Sequence, residues 1–122
     1  MARKKILLVD DADTVLMIER LILRSDYDLV TASNGEDAVA MALTERPDLI
    51  LLDVVMPLMD GFTACKEIRG NELISGIPVI MVTTRGEERS LEKGFQSGCN
   101  DYVTKPINRL ELITKVQHCL GE

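Results

Sequence analysis

Charged and hydroxyl side chains stand directly after the apolar runs of this sequence, at Asp10-Asp11, Asp53, Thr83 and Lys105. If the three acids meet, their carboxylates repel one another, and without a counter-charge at least one pKa is raised. A divalent cation removes that conflict, and a partly open set of hard oxygen ligands suits Mg²⁺, which also accepts a phosphate oxygen. With a lysine cation and a hydroxyl donor added, the set describes a phosphoryl-transfer site that works by positioning and charge neutralisation.

Asp53 is the most unusual member of this set, because it ends the otherwise apolar run DLILLD at 48–53. Isolating a carboxylate from water is costly in free energy or forces a proton onto it. We therefore expect Asp53 at a wet edge where a strand stops, and not inside the core. The residues that follow, Met56, Pro57 and Met59, are expected to form an apolar loop that closes over the core.

Short apolar runs alternate with stretches of helical period, which predicts five strands and five helices. The predicted strands span 5–10, 27–32, 48–53, 78–83 and 101–105, and the predicted helices span 13–24, 35–45, 60–69, 87–95 and 108–120. Asn34 and Asn108 are the expected N-caps of the second and fifth helices. Apolar strands joined by helix-length crossovers belong to a parallel sheet that is covered on both sides.

The first predicted helix, 13–24, carries an apolar stripe. Val15, Ile18 and Ile22 recur at spacings of three and four residues, with Leu21 beside Ile22. Charged residues lie between them. We expect the stripe to face the core and the charges to face water: Val15, Ile18, Leu21 and Ile22 inward, and Glu19, Arg20 and Arg24 outward.

All carboxyl ends of a parallel sheet lie on one edge, and ligands bind where the strand order reverses. If the order is 2-1-3-4-5, strands 1 and 3 are neighbours at that point. Asp10, Asp11 and Asp53 would then lie within reach of one another, with Thr83 and Lys105 on the same edge.

The chain has 122 residues, of which 46% are hydrophobic, and a formal net charge of −6. This size and composition fit one domain, residues 1–122, around a single core. The negative charge argues against direct nucleic-acid binding, which calls for clustered Lys and Arg. No run of signal-peptide or membrane-spanning length occurs, and three widely spaced cysteines fit a reducing cytosol. We expect a cytoplasmic protein that does not bind membranes.

With these residues at its strand ends, the sequence resembles the receiver domain of two-component response regulators, the family of the single-domain chemotaxis regulator. The resemblance rests on Asp10-Asp11 after ILLV, Asp53 in LLDVVMPLMDG, Thr83 after PVIMV and Lys105-Pro106 in DYVTKP. It covers nearly the whole chain, from about Lys5 to Leu120. It implies a flavodoxin-like, doubly wound (βα)5 three-layer sandwich with five parallel strands in the order 2-1-3-4-5.

The resemblance also implies that Asp53 accepts a phosphoryl group from a partner's phosphohistidine and becomes an acyl phosphate. Mg²⁺ would have protein oxygen ligands from Asp10, Asp11, Asp53 and the backbone carbonyl of Val55. Lys105 would pair with the phosphoryl oxygens, with a cis peptide bond to Pro106. Such a protein is not an enzyme towards other substrates, because it catalyses only its own phosphorylation and dephosphorylation.

Signalling in this family would pass from the acids to a distant surface. The Thr83 hydroxyl would move toward the phosphate, and Tyr102 would rotate inward. That rotation would reshape the face formed by the fourth helix, fifth strand and fifth helix, where a downstream protein binds. The implied phosphodonor is a histidine kinase or a histidine phosphotransfer protein, and the implied state is a monomer or a phosphorylation-dependent dimer.

The sequence departs from the family pattern at a few positions. Thr84 stands where the family usually has a smaller residue, so we expect the inward path of Tyr102 to be crowded. The apolar side chain of Val55 cannot orient an attacking water, and Arg85 would screen the phosphate. We therefore expect slow self-hydrolysis of the phosphorylated protein.

Each residue also has a purely structural explanation: a helix cap for Asp10-Asp11, a turn residue for Asp53 and edge-strand packing for Tyr102. His118 lies on the last helix and is expected at the surface. The coincidence of all these structural explanations at the strand ends is improbable.

Three other functional classes remain open. A phosphatase or hydrolase with an aspartyl nucleophile usually has a second Asp two residues further on, where this chain has Val55. A flavodoxin-like cofactor binder needs a phosphate-cradling loop after strand 1, where Asp10-Asp11 would repel the phosphate. The intact acidic set disfavours a pseudo-receiver that binds partners without being phosphorylated.

Overall fold

A computed structural model describes residues 3–84 and 88–122, and only the backbone of residues 88–91. Five strands alternate with five helices along the described chain. The strands are β1 (Lys5–Val9), β2 (Asp28–Ala32), β3 (Leu49–Asp53), β4 (Val79–Thr84) and β5 (Asp101–Lys105). The helices are α1 (Asp13–Leu23), α2 (Gly35–Glu45), α3 (Gly61–Gly70), α4 (Glu88–Ser97) and α5 (Arg109–Cys119). The predicted order of elements is confirmed, with small differences at their ends.

The five strands form one parallel sheet in the order β2-β1-β3-β4-β5. This confirms the predicted flavodoxin-like α/β fold. Because β1 is hydrogen-bonded to β3, with Val9 beside Leu52, the residues that follow these two positions emerge side by side. All strands run in the same direction, so their carboxyl ends share one edge of the sheet.

Side chains alternate across the strands and divide the core into two layers. The layer toward α2 and α3 includes Leu7, Val9, Ile50, Leu52, Val79 and Met81. The layer toward α1 and α5 includes Ile6, Leu8, Leu49, Leu51, Ile80 and Val82. Asp53 continues the alternation of the α1 and α5 side, whereas Thr83 and Tyr102 belong to the opposite side. The acids and the expected switch residues therefore leave the sheet from opposite faces.

The orientation that we expected for α1 is wrong for three residues, although Arg20 and Arg24 are exposed and Ile22 packs against the core as expected. Glu19 is fully buried at 0% exposure, while Ile18 and Leu21 are 44% and 53% exposed. The helix has apolar residues on almost all sides, so its hydrophobic period alone does not fix its rotation. Docking against the sheet does, and it turns the line of Leu16, Glu19 and Leu23 inward.

Glu19 is buried without the partners that such a group normally has. Neither of its carboxyl oxygens has a hydrogen-bond partner among the described residues. Burial raises the pKa of Glu19 to about 8, the negative charge of Asp10 contributes to the rise, and Lys105 opposes it. The folded protein therefore favours the neutral carboxylic acid, because an unpaired buried charge is far more costly.

Side-chain caps fix the start of three helices. Asn34 and Asn108 each accept a hydrogen bond from the backbone N–H three residues further on, at 2.8 and 2.9 Å, as predicted. Asp60 does the same for α3 at 2.8 Å. A cap satisfies one of the free N–H groups of the first turn. The cap at Asp60 matters most here, because α3 begins directly behind the loop that follows Asp53.

Replacing Glu19 with glutamine should change how stability depends on pH. The folded-state pKa of Glu19 is about 8 against an ordinary value of 4.5, so its neutral form is fully compatible with folding below about pH 4.5. As the pH rises from there to about 8, unfolding releases a proton from Glu19. The free energy of unfolding of the wild type therefore falls by up to about 1.4 kcal/mol per pH unit. Denaturant unfolding of both proteins at several pH values in metal-free buffer measures the difference, which should grow with pH in favour of Glu19→Gln.

Glu36→Gln is the matched control, because Glu36 is exposed on α2. Its stability should run parallel to that of the wild type across the same pH range. Parallel curves for Glu19→Gln as well would mean that Glu19 reaches water or a partner in the folded protein, contrary to the buried position described above.

Candidate functional site

Three carboxylates meet at the carboxyl edge of the sheet. Asp10 and Asp11 follow β1 and Asp53 ends β3, and one oxygen from each lies within 4.8 Å of the others. The pairing of β1 with β3 brings them together, since Val9 and Leu52 are neighbours in the register. Asp10 and Asp53 are buried, at 1% and 4% exposure, while Asp11 is exposed. Asp53 stands where its strand stops, as expected, but it is buried, so the expectation of a wet position for it is wrong and Asp11 forms the wet side of the cluster.

Lys105, at the carboxyl end of the outermost strand β5, supplies the counter-charge. Its Nζ lies 3.1 Å from Oδ2 of Asp10 and 3.2 Å from Oδ1 of Asp53. β5 is separated from β3 by β4, so the long lysine side chain spans a strand to reach both acids. The Lys105–Pro106 peptide bond is cis. One ammonium group thus bridges two carboxylates in a partly buried setting.

The charges at this edge perturb one another strongly. Burial raises the pKa of the Asp53 carboxyl above its ordinary value, and the charge of Asp10 raises it further, while the ion pair with Lys105 lowers it. Burial alone would lower the pKa of the Lys105 ammonium, but its bonds to Asp10 and Asp53 outweigh burial and raise it. Removing the lysine would therefore leave the acids with stronger mutual repulsion.

The two oxygens of Asp10 have different surroundings. Oδ1 accepts a hydrogen bond from the backbone N–H of Ala12 at 2.9 Å. Oδ2 is buried beside Lys105 but has no well-directed hydrogen bond among the described residues. Ala12 is the N-cap residue of α1 and no side chain caps this helix, so the explanation of Asp10-Asp11 as a helix cap is wrong. A set of close carboxylate oxygens with one such oxygen fits a hard divalent cation.

The loop after Asp53 is only partly the closed apolar loop that we expected. Met56 is buried at 8% exposure and Met59 is half-buried, but Pro57 is exposed and does not help to close the core. The side chain of Val55 is also exposed, at 71%, and it offers no polar group to the site. Arg85, the other residue expected to affect hydrolysis, lies outside the described residues.

Gly61 is a site residue that our sequence analysis missed. A Cβ at this position would lie 2.2 Å from the backbone oxygen of Asp53, and the Gly61 N–H donates to the carbonyl of Val54 at 2.8 Å. The start of α3 is therefore in direct contact with the backbone that carries the acid. The available signal was the glycine that follows Asp60 in LLDVVMPLMDG, since glycine permits close backbone approach.

Of the expected switch residues, Thr83 lies near the carboxyl end of β4 and Tyr102 lies near the start of β5. Thr83 is buried at 4% exposure and Tyr102 is half-buried on the same side of the sheet. Thr84 is exposed and pairs with Lys105, and strand alternation directs it to the opposite side from Tyr102. Thr84 and Tyr102 are therefore not in contact across the sheet here, and crowding of the inward path of Tyr102 by Thr84 stays a prediction. His118 is exposed on α5, as predicted.

Known proteins share this sequence pattern. The chain matches the family described as Response regulator receiver domain over residues 6–117. It is 42% identical over 118 residues to the alkaline phosphatase synthesis transcriptional regulatory protein PhoP of Bacillus subtilis, which covers 96% of this chain and 48% of that protein. The chain thus spans about half the length of this curated relative.

Solved structures share the fold as well. A Chloroflexus aurantiacus protein assigned as a response regulator has a TM-score of 0.95 and 36% identity, covering 98% of this chain and 99% of that one. The receiver domain of the sensor histidine kinase PA1611 of Pseudomonas aeruginosa has a TM-score of 0.91 and 35% identity, covering 99% and 100%. That structure has a magnesium ion coordinated in its active-site cleft.

Within the described residues, the structure contains no helix with the length and hydropathy of a membrane span.

Three observations point to the same family: the match over residues 6–117, the parallel sheet in the order 2-1-3-4-5 and the acids at its carboxyl edge. This chain belongs to the response regulator receiver domain family of two-component signalling.

Proposed function

We propose that residues 1–122 form one receiver domain in which Asp53 accepts a phosphoryl group from a partner's phosphohistidine. The observation that carries this proposal is the shared ion pair, in which Lys105 Nζ lies 3.1 and 3.2 Å from Asp10 and Asp53 within the carboxylate cluster. A nucleophile, a cation and a metal-binding acid set are then in one place. Phosphoryl transfer requires this combination, since positioning and charge neutralisation supply most of its rate.

Mg²⁺ is the cofactor that this donor set suits. Its protein ligands would be the carboxylates of Asp10, Asp11 and Asp53 and the backbone carbonyl of Val55. When bound, Mg²⁺ supplies positive charge that offsets the negative charge of the carboxylates and of the incoming phosphoryl oxygens. The magnesium in the cleft of the Pseudomonas aeruginosa receiver domain supports the same assignment for this chain.

The chain's own residues have defined parts in the transfer. An oxygen of ionised Asp53 attacks the phosphorus of the donor, the bond from phosphorus to the imidazole nitrogen breaks, and its electron pair returns to that nitrogen. Lys105 favours the ionised form of Asp53, because it lowers a pKa that burial raises. After transfer, the Lys105 ammonium pairs with the phosphoryl oxygens. Hydrolysis by water later restores the carboxylate and releases phosphate.

The switch would run through Thr83 and Tyr102. The Thr83 hydroxyl donates to a phosphoryl oxygen, and the inward rotation of Tyr102 follows. Reversing a population from mostly off to mostly on requires about 5.5 kcal/mol of differential interaction. One charge-assisted hydrogen bond supplies about 1.5–3 kcal/mol, so Thr83 and Lys105 have to act together. The altered surface is the α4, β5 and α5 face.

The partners follow from the same chemistry. The phosphodonor is a histidine kinase or a histidine phosphotransfer protein, and a downstream protein binds the α4, β5 and α5 face, with the chain as a monomer or a phosphorylation-dependent dimer. The net charge of −6 argues against direct nucleic-acid binding. We place the protein in the cytoplasm and away from membranes, which suits its three free cysteines. Its catalysis is limited to its own phosphorylation and dephosphorylation.

The proposal predicts that a small-molecule phosphodonor such as acetyl phosphate, together with Mg²⁺, adds one phosphoryl group to the wild type and none to Asp53→Asn. Intact-mass spectrometry detects the addition. Asp13→Asn is the matched control, since Asp13 is an exposed acid in the first turn of α1, and it should be labelled like the wild type. Equal labelling of Asp53→Asn would contradict the assignment, and repeated turnover of a phosphate ester would favour a hydrolase.

We also predict that the phosphorylated wild type decays slowly, over minutes or longer, because the Val55 side chain cannot orient a water. Val55 is 71% exposed, so substitutions there should leave the fold intact. Val55→Asn should shorten the phosphoryl lifetime severalfold, as followed by mass spectrometry after removal of the donor. Val55→Ala removes bulk without adding a polar group, so an equal effect of alanine would show that access, and not water orientation, limits the rate.

A further inference from the structure

Tyr102 is held between two helices at the outer edge of the sheet. β5 is an edge strand, next to β4 only. The ring of Phe95, which lies on α4 and is 52% exposed, meets the Tyr102 ring edge to face, with centroids 6.4 Å apart and planes at 88°. On the other side, Lys115 of α5 places its Nζ 4.4 Å from the centre of the Tyr102 ring. The ring therefore has an aromatic contact from α4 and a cation from α5.

The position of the Lys115 ammonium does not depend on the ring alone. Nζ donates a hydrogen bond to the backbone carbonyl of Tyr102 and lies 3.6 Å from Asp101 and 3.9 Å from Glu111. Both acids also accept from the backbone of β5: Asp101 from the N–H of Tyr102 at 2.8 Å, and Glu111 from the N–H of Thr104 at 3.3 Å. None of these contacts involves the tyrosine ring, so they can hold the ammonium at β5 when the ring rotates away.

We propose that Lys115 is a positioning residue that holds the Tyr102 ring between Phe95 and its own ammonium, which we call the outer orientation, and so sets the resting balance of the receiver. A cation over an aromatic face attracts the ring, and this attraction is lost when the ring rotates inward while the ammonium stays with Asp101 and Glu111. The inference deepens the proposed function, because it rests on Tyr102 as the switch residue. It assigns to α5 a direct part in the switch, as well as in the surface that a partner binds.

The size of the effect follows from the contact. A cation over a ring at a partly exposed site is worth enough to change the ratio of outer to inner orientations by about two- to fivefold. Lys115 is partly exposed, so the effect stays at the lower end of what such contacts reach. Loss of the ammonium should therefore raise the population of the inner orientation in the unphosphorylated protein without unfolding it.

Fluorine NMR of protein containing 3-fluorotyrosine tests this directly. The chain has two tyrosines, so a Tyr27→Phe background leaves Tyr102 as the only labelled residue. Broadening of its signal by a soluble nitroxide reports how exposed the ring is. In Lys115→Met, which keeps an apolar side chain but no charge, we expect less broadening than in the wild type, because the ring spends more time inside. If Lys115 merely covered the ring, removal of its ammonium would give more broadening.

Three comparisons make the result decisive. Lys115→Arg retains a cation and should restore the broadening of the wild type. Lys66→Met removes the same charge from an exposed site on α3 and should change nothing. Lys115→Gln provides a second neutral variant if the methionine variant does not fold. Unchanged or increased broadening in the neutral variants, or an equal effect of Lys66→Met, would overturn the proposal.

A second measurement connects the contact between Lys115 and Tyr102 to phosphorylation. The inner orientation and phosphorylation should favour each other, so Lys115→Met should reach a higher phosphorylated fraction, up to about twofold, at a limiting concentration of acetyl phosphate. Failure of phosphorylation in every protein, including the wild type, would refute the proposed function and leave the NMR result standing. Normal phosphorylation with no difference between Lys115→Met and the wild type would refute only the proposed role of Lys115.

Discussion

One ammonium group shared by two buried carboxylates is the interaction on which this site depends. Asp10 and Asp53 are carried to the edge of a dry sheet by strands that are apolar on both faces, and their charges would repel there without compensation. Lys105 provides that compensation from two strands away, at 3.1 and 3.2 Å. A cation that enters the cluster would compete with Lys105 for the carboxylates, and a phosphoryl group would compete with the carboxylates for Lys105.

The surroundings of the cluster are tuned by backbone contact and by burial. Gly61 lets α3 start against the carbonyl of Asp53, so the end of β3 and the capped start of α3 are in direct contact. On the other side, α1 turns Glu19 toward the sheet, where burial and Asp10 raise its pKa. A neutral acid behind three ionisable ones keeps the cluster from gaining a further negative charge. The same rotation leaves Ile18 and Leu21 exposed.

The sheet also separates Asp53 from the expected switch residues Thr83 and Tyr102. Asp53 points to the side of α1 and α5, whereas Thr83 and Tyr102 lie on the side of α3 and α4. Under the proposed switch, a signal from Asp53 to Tyr102 would have to pass from one face of the sheet to the other. Because β5 is an edge strand, α5 can reach around it, and Lys115 contacts a ring on the far side. Both helices that flank β5 thus bear on one side chain.

The elements and the residues that end the strands could be predicted from the sequence, because apolar periods and turn residues act locally along the chain. Asp10, Asp53 and Lys105 could be placed on one edge for that reason. The strand order came from the resemblance to receiver domains. The tertiary structure alone decided the rotation of α1, the burial of Glu19, the contact between Gly61 and Asp53, and the position of Lys115 over Tyr102. These depend on how one packed layer meets another, and a helix that is apolar on most sides can satisfy its own period in more than one orientation.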